Sequence, residues 1–312
     1  MPDDKKNKLI ILAGPTAVGK TNLSIRLAKQ IGGSVISADS MQVYRGMDIG
    51  TAKITAEEMQ GIPHYLIDIC EPAEEFNVHT FQRLAKEAMR EVYACGRIPI
   101  LTGGTGFYIQ ALLYDIDFTE EAGDLSYRES LEQLADAQGS KVLHAMLVAV
   151  DPEAAAQIHP HNRKRIIRAL EFYENSGQRI SEHNAQQRER SSPYDFRYFV
   201  LTDERERLYA RIDKRVDAML SAGLLEEVRS LRAAGLTKDM VSMQGLGYKE
   251  LFRYLEGEYN YDEAVRVLKR DTRHFAKRQL TWFRRERDVI WINKADYGYD
   301  EDAILDAILN YI

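Results

Sequence analysis

The chain has 312 residues, of which 45% are hydrophobic and 29% are charged, and its formal net charge is −6. This composition is that of a globular protein of about two domains and excludes a uniformly basic protein that coats nucleic acid. We find no apolar run that approaches the length of a membrane span and no signal-peptide core, so we expect a cytoplasmic protein with no membrane partner. Cys70 and Cys95 show no disulfide or zinc-binding pattern, and we expect both to be packing residues.

The first predicted elements are a buried strand at residues 9–13, a phosphate-binding loop and a helix with Leu23 and Leu27 on one face. The loop reads GPTAVGKT and matches the pattern G-x-x-x-x-G-K-[ST], whose backbone N–H groups surround phosphate oxygens. Lys20 is expected to neutralise the terminal phosphates, and the Thr21 hydroxyl is expected to bind Mg²⁺. The predicted diphosphate-binding residues of the loop are Gly14, Pro15, Thr16, Ala17, Val18, Gly19, Lys20 and Thr21.

The next predicted strands do not supply the acid that a nucleotide-hydrolysing motor or switch requires. Such proteins use a second strand that ends in an acidic residue and positions Mg²⁺ or water. The buried strand at 98–102 runs instead into a glycine-rich segment. The run at 64–68 ends in Asp68, but it lies in a loop-rich stretch and continues into Ile69 and Cys70. The clearest carboxylate at a strand end is Asp39, after the strand at 35–37. The sequence therefore favours transfer of a group from a phosphate-bearing donor over ATP hydrolysis that performs work.

The order of strands and helices predicts an α/β fold, namely a P-loop-type doubly wound parallel sheet with a helical insertion domain. The strand pattern is lost over the predicted insertion, 117–196, where helices are expected at 126–138 and 141–148. Strands resume at 196–201 and 289–292, so the core domain is predicted to comprise 1–116 and 197–312. We expect a monomer, because no self-complementary apolar face stands out.

A predicted helix near the carboxyl terminus is strongly basic. Residues 266–287 contain Arg266, Lys269, Arg270, Arg273, Lys277, Arg278, Arg284, Arg285 and Arg287 against Asp271 and Glu286. At 100° per residue, a stripe about 27 Å long is formed by Arg266, Arg270, Arg273, Lys277 and Arg284. Leu268, Phe275 and Trp282 fall on the opposite side. The stripe favours a polyanion-binding surface, and the alternative is an ordinary solvated helix face.

A second basic cluster occupies residues 163–168, on a helix that Asn162 is predicted to cap and Gly177 to end. Its buried face is predicted to contain Ile166, Leu170 and Tyr173. Together the two clusters indicate a folded RNA or another extended polyanion as a partner.

These motifs, in their order along the chain, resemble the tRNA dimethylallyltransferase family. The resemblance extends over about 9–292 and rests on GPTAVGKT at 14–21, SADSMQVY at 37–44, MDIGTAK at 47–53, GGTGFY at 103–108, HP at 159–160, RALE at 168–171, GLGY at 245–248 and KRQLTWFR at 277–284. These enzymes attach a five-carbon prenyl group to the exocyclic N6 amine of the adenine that is 3′-adjacent to the anticodon.

The resemblance implies that dimethylallyl diphosphate occupies the loop and that pyrophosphate leaves, stabilised by Lys20 and by Mg²⁺ at Thr21. It implies that Arg215 contacts the diphosphate and that Asp39 is the general base, although Asp39 could instead cap its strand or orient Mg²⁺. The implied partner is the tRNA anticodon stem-loop, whose adenine must be extruded. Implied tRNA contacts are Asp39, Ser40, Met41, Gln42, Thr105, Arg128, Lys164, Arg165, Ile166, Ile167, Arg168, Met243, Gln244, Gly245, Leu246, Gly247 and Tyr248. The basic stripe and its neighbour add Arg270, Arg273, Lys277 and Arg278.

Alternative interpretations remain open at this point. A small-molecule or nucleotide kinase would also have a phosphate loop, a strand-end aspartate and a helical lid, but it would consume ATP. A non-catalytic RNA-binding protein is less well matched, because it would not require Lys20, Thr21 and Asp39 together. Within the resemblance, Thr105 could simply cap the helix that follows it, and Arg128 could be an ordinary surface residue.

Overall fold

A computed structural model describes residues 6–118 and 125–312 of the chain. The chain divides into two units, of which the first joins Met1–Leu113 to Pro193–Ile312 and the second is Tyr114–Ser192. The sequence placed the corresponding boundaries at 116/117 and 196/197. The structure places them a few residues earlier, before the strand that begins at Asp195.

The first unit is built on a six-stranded parallel sheet in the order β3-β2-β4-β1-β5-β6. Its strands are β1 Lys8–Ala13, β2 Gly33–Ala38, β3 His64–Tyr65, β4 Ile98–Gly103, β5 Asp195–Thr202 and β6 Val289–Asn293. The predicted P-loop-type α/β fold is confirmed, and five of the strands overlap the predicted ones. The strand β3 was not predicted, because two residues are too short to show a periodic pattern.

Apolar residues fill both faces of the sheet. Along β1, Ile10 and Leu12 face one core cluster, which they share with Leu27 and Phe199. Because side chains alternate along a strand, Leu9 points to the opposite face, and it is 0% exposed as well. Such two-sided burial requires helices over both faces, as in doubly wound sheets.

The helices of this unit are α1 Lys20–Ile31, α2 Val78–Ala94, α3 Gly106–Leu113, α9 Arg205–Ser221, α10 Leu224–Ala233, α11 Tyr248–Leu255, α12 Tyr261–Phe283 and α13 Glu301–Leu309. Several begin at side-chain caps: the Asn77 side chain accepts the N–H of Thr80 at α2, and Asn260 accepts that of Glu263 at α12.

The second unit is helical over its described residues, with α4 Leu125–Gln138, α5 Ser140–Val150, α6 Pro152–Gln157, α7 Arg163–Ser176 and α8 Ile180–Glu189. Leu143, Leu147 and Ile166 belong to its own core cluster. On α7 the predicted burial of Tyr173 is wrong: this side chain is 38% exposed, and Phe172 takes the buried position instead.

Two expectations about the chain as a whole can be compared with the structure. In the described ranges 6–118 and 125–312, no helix is long and apolar enough to cross a membrane. Cys70 is buried, as expected for a packing residue, whereas Cys95 is exposed at the end of α2, so the expectation for Cys95 is wrong.

Candidate active site

The carboxyl ends of three adjacent strands hold the residues in which the sequence predicted chemistry. The phosphate loop follows β1, Asp39 follows β2, and Thr105 lies just beyond β4. Because Ala13 and Ala38 both lie opposite Gly103 in the sheet register, the loops that follow these strands start side by side. Parallel strand ends of this kind are where doubly wound sheets bind their ligands.

The phosphate loop has the backbone shape that its sequence predicts. Gly19 adopts φ 106°, a conformation that favours glycine, and the helix α1 begins at Lys20. The Lys20 ammonium donates hydrogen bonds to the carbonyls of Gly14 (2.9 Å) and Pro15 (2.8 Å). The side chain of Thr21 is exposed at the first turn of the helix, where a metal-bound phosphate can reach it.

Cations surround this loop. A methyl group at Gly19 would lie 3.3 Å from the Lys294 ammonium and 3.4 Å from the Arg211 guanidinium. Lys294 is ion-paired with Glu301, whereas Arg211 forms no ion pair with the described residues. Positively charged side chains therefore lie around the loop, as suits a site for a diphosphate.

Lys20 and Arg215 lie close enough for their charges to interact. Burial, and secondarily the charge of Arg215, lower the pKa of Lys20 from 10.5 to about 7, while Asp39 opposes the change. Burial also lowers the pKa of Arg215, again against the effect of Asp39. Two partly desolvated cations close together are unfavourable in the free protein, and a bound anion would relieve that cost.

Asp39 holds the turn that follows β2. Its Oδ1 accepts the backbone N–H groups of Met41 (2.8 Å) and Gln42 (3.3 Å). The hydroxyl of Thr105 accepts the N–H of Ser40 at 3.2 Å, so it fixes the residue next to Asp39. Asp39 therefore has the capping role that the sequence left open, and only one of its two carboxylate oxygens is used for it.

Gln279 joins the phosphate loop to the loop after β4. The sequence analysis did not select it as a site residue. Its Oε1 accepts the N–H of Thr16 (2.9 Å), and its Nε2 donates to the carbonyl of Gly104 (3.0 Å). The side chain is 7% exposed. A methyl group at Gly104 would lie 2.2 Å from the Gln279 Nε2, which explains the glycine. The motif KRQLTWFR contains Gln279, but the pattern of basic residues around it does not show its contacts with distant loops.

Glu227 on α10 is a second residue that sequence reasoning missed. It connects the segment at residues 48–50 to Tyr248. Its carboxylate accepts the backbone N–H groups of residues 48–50 at 2.8–3.1 Å and the hydroxyl of Tyr248 at 2.6 Å. The Gln42 amide in turn donates to the carbonyls of residues 51–52 at 3.3 and 3.4 Å. The segments MDIGTAK, GLGY and SADSMQVY are thus connected through one carboxylate and one amide.

Four residues implied as tRNA contacts have buried side chains. Ile166 and Ile167 lie in the core of the helical unit at 0% and 2% exposure. Met243 and Tyr248 are both 0% exposed. In the free protein these four side chains therefore lie in the core and support their neighbours, and Gln244 is the exposed side chain of its segment.

The basic residues of the helical unit fall into two groups. Arg128 makes a two-pronged ion pair with Glu171 (2.7 and 2.8 Å). Lys164, Arg165 and Arg168 are exposed on α7, and they form no ion pair with the described residues. The second group is the one that remains available to a polyanion.

The basic stripe on α12 is less uniform than the sequence predicted. Three of its members are ion-paired on the protein: Arg266 with Glu263 at 2.6 Å, Arg270 with Asp271 at 2.8 Å and Arg273 with Asp213 at 2.5 Å. Lys277 is exposed and has no such partner among the described residues, and the same is true of Arg278 next to the stripe. The helix ends at Phe283, so Arg284 caps it rather than extending the stripe.

Thr21, at the first turn of α1, fits a hard divalent cation bound together with a phosphate. Enzymes that transfer prenyl groups from diphosphates generally use a divalent metal. In the described ranges there is no group of three or more His, Cys, Asp or Glu that could enclose a metal ion. Mg²⁺ is commonly held by one or two protein oxygens, substrate phosphates and water, and the exposed Thr21 hydroxyl suits that arrangement.

Comparisons with known proteins agree with this geometry. The IPP transferase family model matches residues 42–286. The chain is 60% identical to a tRNA dimethylallyltransferase of Lachnoclostridium phytofermentans over 96% of each chain. It is 53% identical to one of Geobacillus kaustophilus, covering 93% of this chain and 92% of the relative.

Solved structures show the same similarity. A tRNA isopentenylpyrophosphate transferase from Bacillus halodurans superimposes with a TM-score of 0.73 at 46% identity, over 98% of this chain and 96% of that one. A eukaryotic dimethylallyltransferase acting on tRNA gives a TM-score of 0.78 at 30% identity, over 92% of this chain and 74% of that one. The chain therefore belongs to the IPP transferase family.

Proposed function

We propose that this enzyme transfers the dimethylallyl group of dimethylallyl diphosphate to the N6 amine of the adenine that is 3′-adjacent to the anticodon in tRNA. The observation that carries the proposal is the edge of the sheet, where a cation-lined phosphate loop lies beside a strand-end carboxylate. The relatives named tRNA dimethylallyltransferase support the same reaction.

The donor side of the reaction is the phosphate loop with its cations. When the allylic C–O bond breaks, both bonding electrons leave with the pyrophosphate, and negative charge builds on it. Lys20, Arg211 and Arg215, which lie around the loop in the free enzyme, would stabilise that charge. Mg²⁺ at Thr21 would supply further charge neutralisation when bound.

The acceptor side is the turn at Asp39. The N6 amine is a weak nucleophile, because its lone pair is delocalised into the purine. As the new N–C bond forms, the nitrogen must lose a proton, and the Asp39 carboxylate oxygen that does not cap the turn would accept it. The adenine must leave its stack to reach this carboxylate, and an anticodon loop provides an unpaired base for that purpose.

The tRNA-binding surface is proposed to include the exposed members of the implied contact set. These are Gln244 on the acceptor side, Lys164, Arg165 and Arg168 on α7, and Lys277 with Arg278 on α12. We further propose that the metal is Mg²⁺ and that the enzyme acts as a cytoplasmic monomer.

The reaction is tested by incubating the enzyme with Mg²⁺, unmodified tRNA and dimethylallyl diphosphate, with ATP in a parallel sample. Mass spectrometry of the digested tRNA should show a prenyl-sized gain on the target adenosine without ATP. Consumption of ATP without such a gain would refute the proposal and favour a kinase.

The role of Asp39 is tested by Asp39→Asn, compared with Asp39→Ala. Asparagine keeps an oxygen that can accept the N–H groups of Met41 and Gln42 but cannot take a proton. We expect Asp39→Asn to lower kcat by about 10²–10⁴, the usual contribution of a general base, with tRNA affinity largely retained. A kcat within tenfold of the wild-type value would remove Asp39 from the role of base and leave it that of a cap.

A further inference from the structure

Lys294 is a buried cation beside the phosphate loop that the sequence analysis did not select. It is the first residue after β6. Because β6 runs parallel to β5 and β5 runs parallel to β1, Lys294 lies at the same edge of the sheet as the phosphate loop. The residue is only 4% exposed. A buried ammonium is costly unless its N–H groups have acceptors, so the role of Lys294 depends on what those groups can reach.

The Lys294 ammonium uses one protein acceptor. In the part of the chain that the structure describes, it donates a hydrogen bond only to the carboxylate of Glu301. An ammonium has three N–H groups, so two remain for a ligand. Arg211 on α9 is half-buried and makes no hydrogen bond with the described residues. Both cations can therefore donate to an anion.

Lys294 and Arg211 meet at the same side of the last glycine of the phosphate loop. A methyl group at Gly19 would lie 3.3 Å from the Lys294 ammonium and 3.4 Å from the Arg211 guanidinium. Two cations so close to one point suit an oxyanion group that accepts hydrogen bonds from both. They therefore extend the positively charged lining of the loop beyond Lys20.

The cations around the loop are arranged at increasing distance from the acceptor carboxylate. Asp39 counteracts the lowering of the pKa of both Lys20 and Arg215, so both lie within electrostatic reach of it. Arg211 in turn lowers the pKa of Arg215, and Lys294 lies beside Arg211. The C–O bond that breaks must lie near Asp39, where the amine attacks. The end of the diphosphate that is remote from this bond is then directed toward Arg211 and Lys294.

We propose that Lys294, together with Arg211, binds the terminal phosphate of the donor, which is the phosphate farther from the prenyl group. Its ammonium would also stabilise the charge that builds on the leaving pyrophosphate. The inference rests on the proposed function, and it adds to the donor site a residue from the segment after β6.

Glu301 determines how strongly Lys294 attracts the donor. Its side chain is 32% exposed and lies in the first turn of α13, where the helix dipole favours a negative charge. The carboxylate therefore stays solvated and stabilised when Lys294 also contacts a phosphate. Because Glu301 and the phosphate compete for one ammonium, the carboxylate should weaken donor binding, whereas Lys294 should strengthen it.

The first test uses this opposition of sign and measures Kd for dimethylallyl diphosphate by titration calorimetry without RNA. Lys294→Gln should weaken binding by about 10- to 100-fold, the effect of one lost hydrogen bond to a charged group. Glu301→Gln should tighten it by about two- to tenfold, because a competing charge is removed. The matched control Asp302→Asn removes the same charge from the next residue, which pairs with Arg26, and should change Kd by less than about twofold.

Weaker binding in both Lys294→Gln and Glu301→Gln would identify a purely structural ion pair and overturn the inference. If Lys294→Gln does not fold, Glu301→Gln decides alone, and unchanged or weaker binding overturns the inference. Wild-type enzyme that prenylates tRNA while Lys294→Gln binds the donor equally well would overturn the inference and leave the proposed function intact. A wild-type enzyme that does not bind the donor would overturn both.

The second test uses dimethylallyl monophosphate, which lacks the terminal phosphate. Lys294→Gln should change Kd for this compound by less than about twofold, because the phosphate that remains lies at Lys20 and Arg215. A general distortion of the loop would weaken the binding of both compounds. Equal losses of affinity for the monophosphate and the diphosphate would therefore overturn the assignment of Lys294 to the terminal phosphate.

Discussion

Donor binding should take up a proton at Lys20. The free enzyme holds the pKa of this ammonium at about 7 through burial and the nearby charge of Arg215. At pH 7 about half of the molecules therefore have a neutral Lys20. A diphosphate next to the ammonium favours the charged form, so binding raises the pKa and the neutral fraction becomes protonated.

The size of the effect follows from linkage. Proton uptake should rise from about 0.1 at pH 6 to about 0.5 at pH 7 and about 0.9 at pH 8, and Kd for the donor should weaken about tenfold between pH 6 and pH 8. Because Lys20 must be protonated to bind the diphosphate, the affinity for the donor falls as the pH rises through 7.

Titration calorimetry in buffers of different ionisation enthalpy measures this uptake directly, with dimethylallyl diphosphate and no RNA. Protonation of the donor itself would also contribute, and the Lys20→Arg variant corrects for it because its guanidinium stays charged throughout. The difference between wild type and variant is the contribution of Lys20. Equal uptake by the two proteins at pH 8 would refute the argument.

Two further substitutions probe the contacts that hold the site. Glu227→Gln places an amide where four donors meet a carboxylate, so we expect a loss of about 1.5–3 kcal/mol in the free energy of unfolding and a higher KM for tRNA. The control Glu226→Gln changes an exposed neighbour and should alter neither quantity. Equal melting temperatures of the two variants would contradict this prediction. Gly106→Ala should displace the Trp282 indole and reduce prenyl transfer, and combination with Trp282→Phe should restore part of the loss, because the smaller ring makes room for the methyl group. A double variant no more active than Gly106→Ala would show that the clash is not the cause.

The parts of the fold that depend on local patterns could be predicted from the sequence. The predicted phosphate loop, the apolar strands and the helices expected at 126–138 and 141–148 are local features, and each occurs where expected. The strand β3 was not predicted because the run at 64–68 lies in a loop-rich stretch, and only two of its residues pair with β2.

The parts of the site that depend on distant contacts could not be predicted. Gln279 meets the phosphate loop across 263 positions of the sequence, and Glu227 meets residues 48–50 across 177–179. The helical periodicity of α12 placed Arg273 on an exposed stripe, but it could not show that Asp213, 60 positions away, neutralises it. Residue type and spacing identify which groups could act, whereas the partner that engages or releases each group is set by the tertiary fold.

The connections through Gln279 also show why the donor and acceptor parts of the site should not behave independently. The amide holds the phosphate loop through Thr16 and the loop after β4 through Gly104. Thr105, the next residue of that loop, fixes Ser40 and thereby the turn capped by Asp39. A shift of the phosphate loop on binding a diphosphate would therefore act, through these partly or fully buried contacts, on the turn that holds the carboxylate proposed as the base. Since electrostatic stabilisation and proton transfer both depend on distances of about 3 Å, this short chain of hydrogen bonds matches the position of the leaving group to that of the base.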